Sequence, residues 1–551
     1  MPSSLPWLVQ KFGGTSIGKL LDTITEDIIP SYYLGVQSQA QRNNKNKNQN
    51  KNNTNNIAVI CSARSGKDKS TGTTSLLLQA ASLAEGTGPQ SESVLDDVID
   101  RLIEEHRLAA REALRKTADG NVAESLDDIE LLTQLEREIV ADCEAIRGFL
   151  HAAKTVGELS PRSRDRIIST GEKLSSRIVA ASLSKRGFDT ALIMLDDIVS
   201  ETYGSDLSAQ KTAYDELGPG FYNGLAQKIG QKVLSHVGKI CVLPGFFGMM
   251  PYSLIQTVGR GYSDLCAAMC AVGVNAQELQ IWKEVDGIFT ADPNKVPSAR
   301  LLATVTPEEA MELTFYGSEV IHPLTMKHLQ SANIPLRIKN VKSPQGPGTM
   351  IYPSENANAR RLSPDRRAFM DAHGYDGDDQ SRRTPTAITS KNEVTVINIV
   401  PNGSTQRYQF LSEVLRCLAA RQVVPDLMCT SEQSMSFAIH CETKTGDMIS
   451  ALTALGNVTI LEKMSIVSVI GQRMRNMVGI GAEILTTLAR AGINIYLISQ
   501  GASQVNISFV VREDHALQAI NVIHSQILDI PPTEQHTGLT GKGGIRGPWL
   551  F

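Results

Sequence analysis

The chain has 551 residues, 41 % of them hydrophobic, and on length it is expected to hold about three to four domains with sizeable cores. Its 54 basic and 58 acidic residues leave a net charge of −4, which excludes a global basic field for nucleic acid. Its eight cysteines show no metal-finger spacing, with Cys266 and Cys270 four apart in an expected helix, and read as buried thiols of a reducing compartment.

The N-terminus lacks the basic and apolar regions of a signal peptide, so a cytoplasmic location is expected. The first informative stretch is Val9-Gln10-Lys11-Phe12-Gly13-Gly14-Thr15-Ser16. An apolar segment, a lysine, two glycines and two hydroxyl residues read as strand, tight turn and helix. Such a junction leaves N–H groups and a positive helix end free for an anion, within reach of Lys11. The lysine precedes the glycines, so this is not the P-loop pattern.

Residues 37–56 are Asn, Lys and Gln almost throughout; they cannot bury a core and are expected to form a disordered insertion. Ile57 to Cys61 is then a buried strand. From about 91 to 151 the pattern is helical and charged, with Val94, Val98 and Leu102 on one face. Another helix is expected over 165–185, entered through Ser169-Thr170-Gly171-Glu172, and further strands over Ala191–Leu195 and Lys239–Leu243. The uncharged run Ile240–Gly259 contains Pro244, Gly245, Gly248 and Pro251, so it reads as a strand and loop rather than a membrane span. This alternation over some 340 residues predicts a three-layer α/β domain, residues 1–342, with a mainly parallel sheet.

Prolines at 344, 347, 353, 364 and 385 around a charged stretch mark 343–391 as a linker. Beyond it Glu413-Val414-Leu415 with Leu418-Ala419 matches Glu483-Ile484-Leu485 with Leu488-Ala489, seventy residues later. Each copy has a β-rich run before it and two after, which predicts a duplicated α+β module of βαββαβ type over 392–462 and 463–530, with a flexible tail over 531–551.

Three segments bear on the opening turn. Gly259-Arg260-Gly261-Tyr262-Ser263-Asp264 enters an apolar helix and makes a second anion site, with an arginine suited to gripping a carboxylate. Trp282 to Pro293 contains D-G and D-P turns. In Ser169 to Glu172 the glutamate has the alternative of simply capping its helix.

In this order VQKFGGTS, STGEKLSS, VGRGYSD, WKEVDGIFTADP and YGSEVIHP resemble the aspartate kinases, members of the amino-acid kinase family, and the paired C-terminal modules resemble ACT domains. The likeness covers nearly the whole chain, breaking at the Asn-rich insertion and the proline-rich linker. The insertion and the Ser62–Thr74 loop resemble the fungal branch. The resemblance implies transfer of the γ-phosphoryl of ATP, carried with Mg²⁺, to the side-chain carboxylate of L-aspartate, giving 4-phospho-L-aspartate. A carboxylate with pKa about 4 is ionised at neutral pH, so no general base is required; the site must align two anions and stabilise charge.

At matched positions Lys11 is implied to neutralise the transferring phosphoryl, and Asp264 to orient that lysine or organise the nucleotide site. Gly13, Gly14, Thr15 and Ser16 would donate to phosphate; Arg260 and Ser263 would hold a substrate carboxylate; Glu172 would pair with the substrate amine. Ser62, Thr74 and Phe246 complete the aspartate pocket. Lys283 to Pro293, including Glu284, would line the nucleotide, with Phe289 on the adenosine side and Asn294 standing where many relatives carry arginine. Glu319 likewise replaces a common lysine, and Tyr262 a common glycine. His322, before Pro323, is taken as structural.

The modules imply an amino-acid effector, threonine being preferred, and a homodimer or larger homo-oligomer formed through them. Phe410, Leu411, Asp426, Thr430, Ser431 and Glu432 match effector positions in the first module; Gln500 and Asn506 occupy comparable places in the second. Two rival readings are a catalytically inactive amino-acid sensor, opposed by Lys11, Arg260 and Asp264, and a kinase for another small acid. A fused homoserine dehydrogenase is not expected, since Gly479-x-Gly481 lacks the third glycine of a dinucleotide site.

Overall fold

The structure, a computed structural model, describes residues 5–35, 54–66, 72–86, 90–115, 126–259, 261–316, 321–352, 368, 385–402, 407–440, 445–472, 474–500 and 505–530. Its contacts divide the described chain into two units: residues 5–287 with 321–352, and residues 288–316 with 385–530. No helix among the described residues is long and apolar enough to cross a membrane.

The first unit is built on a mixed sheet of β1 (Trp7–Phe12), β2 (Asn56–Cys61), β3 (Thr190–Leu192), β4 (Ile240–Pro244), β5 (Glu278–Lys283), β7 (Leu336–Asn340) and β8 (Thr349–Ile351). They lie in the order β3-β4-β2-β1-β5-β7-β8. All pairings are parallel except the last, where β8 turns back against β7. Every residue of β1, β2 and β4 is buried, as expected of parallel strands covered on both faces. Alternation along β1 sends neighbouring side chains to opposite faces. Phe12 stacks on Trp282, their ring centroids 6.0 Å apart, in a core shared with Ile29 and Tyr33 of the helix Ile29–Leu34. Lys11 meets the helix Tyr262–Gly273 on the other face. From β1 the chain moves to β2 on one side and returns later to β5 on the other. That reversal opens a crevice beyond the carboxyl end of β1, the usual ligand position in such sheets.

Several expected boundaries move. The helix expected over 165–185 runs Pro161–Lys185, because Ser160 accepts from the Ser163 N–H as N-cap and proline fits the first position. Ser169 to Glu172 therefore lie inside a helix and not at its entry. The strand expected over Ala191–Leu195 is only Thr190–Leu192. The polar insertion expected over 37–56 overlaps the fold at its end: Asn56 opens β2, donates to the Leu5 carbonyl and accepts from the Gly238 N–H, while residues 37–53 lie outside the described residues. The linker expected over 343–391 holds β8 at its start and the first residues of the strand Ala387–Pro401 at its end, since proline at 344 and 347 falls in the connection between β7 and β8; residues 353–384 are outside the description except 368. The helical region after 91 is two helices, Gln90–Arg115 and Leu126–Val156, whose apolar faces share Leu95, Ile99, Leu102, Ile139 and Leu150.

The second unit holds β6 (Thr304–Val305), β9 (Ala387–Pro401), β10 (Leu427–Thr430), β11 (Met435–His440), β12 (Gly456–Ile470), β13 (Leu497–Ser499) and β14 (Asn506–Arg512). The duplication is plain in the element order, β-α-β-β-α twice, with equivalent helices Arg407–Ala420 and Ile480–Arg490. The matched residues Val414, Leu418, Ile484 and Leu488 are all buried. The copies share one antiparallel six-stranded sheet, β10-β11-β9-β12-β14-β13. Two 15-residue strands, β9 and β12, lie side by side at its centre, each serving both copies: Ala387–Lys391 pairs with Ile466–Ile470, and Val396–Pro401 with Gly456–Leu461. The segment 288–316 belongs to this unit. Ile388 donates to the Thr290 carbonyl, Thr290 bonds His524 through its side chain, and Thr386 and the Gln472 N–H both donate to Glu309 of the helix Pro307–Tyr316.

Candidate active site

Four stretches of the first unit meet beyond the carboxyl ends of β1, β2, β4 and β5. Lys11, 8 % exposed, forms an ion pair with Asp264, Nζ to Oδ1 2.7 Å. Asp264 sits in the first turn of the helix Tyr262–Gly273, where the orphan N–H groups favour a carboxylate. Gly261 enters that helix at φ 98°, a backbone that disfavours any side chain.

After Lys11 the chain turns at Gly13 into the short helix Gly14–Lys19. A Cβ on Gly14 would stand 2.0 Å from the Ala63 carbonyl oxygen, so the turn is pressed against the loop following β2 with no room for a side chain. Ser16 donates to Glu284 Oε1 at 2.7 Å, tying the glycine turn to the end of β5. Ser62 and Ser263 share a hydrogen bond of 2.9 Å between their hydroxyls, linking the β2 loop to the second glycine loop.

Glu172 is 2 % exposed, in the middle of the helix Pro161–Lys185. Burial pushes its carboxyl up to about 8, against the pull of the Lys11 ammonium, the Tyr262 hydroxyl and the Phe246 N–H. Oε2 is buried without a hydrogen-bond partner among the described residues. A Cβ on Gly245 would lie 2.4 Å from Ser263 Cβ and 2.9 Å from Glu172 Oε1, so that glycine lets three segments close on one point. Phe246 is buried beside it, and its contribution to Glu172 is a backbone donor. Tyr262 gives Glu172 its hydroxyl contact, which sequence reasoning missed; no local signal marks it, because the partners are ninety residues apart.

The remaining expected residues are placed unevenly. Thr74 is exposed at the start of the helix Thr73–Glu85, whereas its neighbour Thr73 is buried against Gly171. Lys283 ends β5 half-buried and Glu284 follows it, buried. Phe289 and Asn294 fall in the second unit, Phe289 bridged to Leu301 and Asn294 exposed, with its N–H on Asp292. Arg260 and Glu319 lie outside the described residues.

His322 has a clear structural duty. Nδ1 accepts from the Leu324 N–H, capping the helix Pro323–Ser331, which leaves Nε2–H to donate to the Val258 carbonyl at 3.0 Å. It therefore pins the loop that leads to Gly261. His322→Ala should destabilise the protein by about 1–2 kcal/mol through the lost cap and bond. A thermal unfolding midpoint equal to the wild type's would show the pin to be idle.

The expected effector positions all lie in the second unit. Phe410 packs in the core with Val414 and Phe437, with Leu411 against it, so Phe410 has only its backbone to offer a ligand. Asp426 precedes β10, while Thr430, Ser431 and Glu432 are exposed at its far end, where Ser431 closes a turn with Ser434. Gln500 is exposed after β13. Asn506 is buried and donates to Glu312 of the helix Pro307–Tyr316.

A model of the amino acid kinase family matches residues 6–340, and an ACT domain model matches residues 467–527. Over 552 residues the chain is 40 % identical to the aspartokinase of Schizosaccharomyces pombe, covering 99 % of this chain and 97 % of that protein. It is 41 % identical to the aspartokinase of Saccharomyces cerevisiae, across 95 % and 93 % of the two chains. Among solved structures, Escherichia coli aspartokinase III in complex with lysine and aspartate aligns with a TM-score of 0.65 at 22 % identity, over 94 % of this chain and 99 % of that one, a likeness of fold.

Proposed function

The chain belongs to the amino acid kinase family, and from that premise we propose that it is an aspartate kinase, phosphorylating the side-chain carboxylate of L-aspartate with ATP on the way to homoserine, threonine and methionine. The observation that carries this reading is the convergence of Lys11, Asp264, Glu172, Ser62 and Ser263 from separate stretches at one end of β1. The near full-length likeness to fungal aspartokinases supports it.

In this mechanism the aspartate carboxylate attacks the γ-phosphorus. One O–P bond forms, the bond to the β,γ-bridging oxygen breaks, and ADP leaves with no proton transferred. ATP enters as its Mg²⁺ complex, the ion riding on phosphate oxygens. Gly13, Gly14, Thr15 and Ser16 cradle the phosphates, and Glu284, held by Ser16, borders them. Lys11 lies opposite the transferring group and opposes the charge that builds on it. Asp264 holds the ammonium in place, so little reorganisation is needed during the reaction. Glu172 takes the ammonium of aspartate, Ser263 and Arg260 its α-carboxylate, and Ser62, Thr74 and Phe246 the rest of the pocket; Lys283, at the end of β5, serves the nucleotide.

Initial rates with ATP and aspartate, glutamate or N-acetylglutamate test the substrate assignment. A free ammonium is what Glu172 can recognise, so aspartate should be turned over and the acylated acid should not. Equal rates with the acylated acid would sink the assignment of Glu172.

The duplicated module serves no step of this chemistry, and its role is regulatory: a free amino acid, threonine, binds near Asp426 and favours a less active arrangement. Population shift is bounded by the effector's differential affinity for the two arrangements. The positions at Phe410, Leu411, Thr430, Ser431 and Glu432 frame that site, Gln500 and Asn506 its counterpart, and a homo-oligomer is assembled through the modules. In Asp426→Ala the ratio of inhibited to uninhibited rate at millimolar threonine should return to near one. Retained inhibition in that variant would remove Asp426 from the site.

A further inference from the structure

The second unit contains an ion pair in which one of the expected effector residues, Asp426, meets a lysine that the expected site does not include. Lys391, in the part of β9 that pairs with β12 opposite Ile466, reaches Asp426 at the entry to β10, Nζ to Oδ1 2.7 Å. The Asp426 side chain is 8 % exposed and that of Lys391 26 %. The ammonium also lies over the ring of Phe315, 5.8 Å from its centroid, which steadies the lysine from a second direction. Asp426 Oδ2 is buried and has no hydrogen-bond partner among the described residues.

A buried carboxylate oxygen without a donor is costly and suits a ligand that brings one. The ammonium of a free amino acid is such a donor. The charge count then decides which amino acids fit. Lys391 already cancels the single negative charge of Asp426, so the pair is neutral before any ligand arrives. An amino acid with an uncharged side chain enters as a zwitterion and leaves the sum at zero. A basic amino acid adds an uncompensated ammonium beside that of Lys391, and like charges repel more strongly in a partly dry site than in water.

We propose that Lys391 is the specificity-determining residue of the effector site, admitting amino acids with neutral side chains and turning away basic ones. This rests on the reading of Asp426 as the effector's ammonium partner. Without Lys391 the full charge of Asp426 becomes available, and a second ammonium is no longer penalised.

Titration calorimetry of the full-length protein with threonine and with lysine, each alone, reads the discrimination directly. Wild type should bind threonine at least about tenfold more tightly than lysine, a gap of about 1.4 kcal/mol. In Lys391→Gln the ratio should fall to about threefold or less, and in Lys391→Arg, which keeps the charge, it should persist. Wild type binding lysine as tightly as threonine overturns the proposal, and that result requires no variant to fold. Lys391→Gln with a wild-type circular dichroism spectrum and a wild-type ratio overturns it as well. If wild type binds neither amino acid, the effector reading of Asp426 falls and this inference with it; tight threonine binding with an unchanged ratio in Lys391→Gln removes only the role of Lys391.

Discussion

Lys11→Ala is expected to lower kcat by at least about a hundredfold, the loss typical when a positioned donor to developing charge is removed. The lysine is nearly enclosed and held by Asp264 at 2.7 Å. The same burial complicates the experiment. Removing one partner of a buried ion pair commonly costs about 3–5 kcal/mol, because the other charge is left unmatched. The double variant Lys11→Met with Asp264→Asn removes both charges and should recover stability without recovering turnover. A single variant that keeps more than about a tenth of the wild-type kcat would take Lys11 out of the phosphoryl site, since tenfold is only about 1.4 kcal/mol.

Glu172→Gln is expected to raise the KM for aspartate strongly while making the protein more stable in neutral and alkaline solution. The folded carboxyl titrates near 8, against an ordinary value of 4.5, with burial as the first cause. The folded state therefore keeps a proton that the unfolded state has released. Stability conferred by that proton is complete below pH about 4.5 and is lost as pH rises to about 8. Glutamine carries no charge and escapes that loss, a gain on the order of 3–5 kcal/mol above pH about 8. Aspartate binding has the opposite dependence on pH. Its ammonium needs the ionised carboxylate, so below about 8 binding must expel a proton and KM rises as pH falls, by up to about tenfold per pH unit. In the glutamine variant that slope should vanish. A wild-type KM for aspartate that is flat from pH about 6 to 8 would remove Glu172 from the amine.

What the sequence makes legible follows from how local each signal is. Lys11 before two glycines and Asp264 after a glycine loop carry their geometry in a few residues, and in the structure they lie 2.7 Å apart. Ser160-Pro161 is equally local: a capping serine before a proline starts the helix at 161 and sets Glu172 inside it. The Tyr262 hydroxyl on Glu172, Asn506 on Glu312 and Lys391 on Asp426 join residues 35 to 194 positions apart, where no spacing rule operates. The membership of 288–316 in the second unit is hidden for a different reason. Strand and helix alternate through that stretch as they do before it, and only the contacts of Thr290 with His524 and of Glu309 with Thr386 and Gln472 draw it away. The merging of β9 with β12 was likewise invisible, because a repeat identifies equivalent strands without saying whether they pair with each other.

Phosphorus NMR of the protein with Mg²⁺, ATP and aspartate tests the central claim most directly. An acyl-phosphate resonance should grow in step with ADP, require aspartate, and be absent when Lys11→Ala replaces the wild type. ADP released at the same rate without aspartate, or an ATP signal unchanged in its presence, would contradict the account of this site.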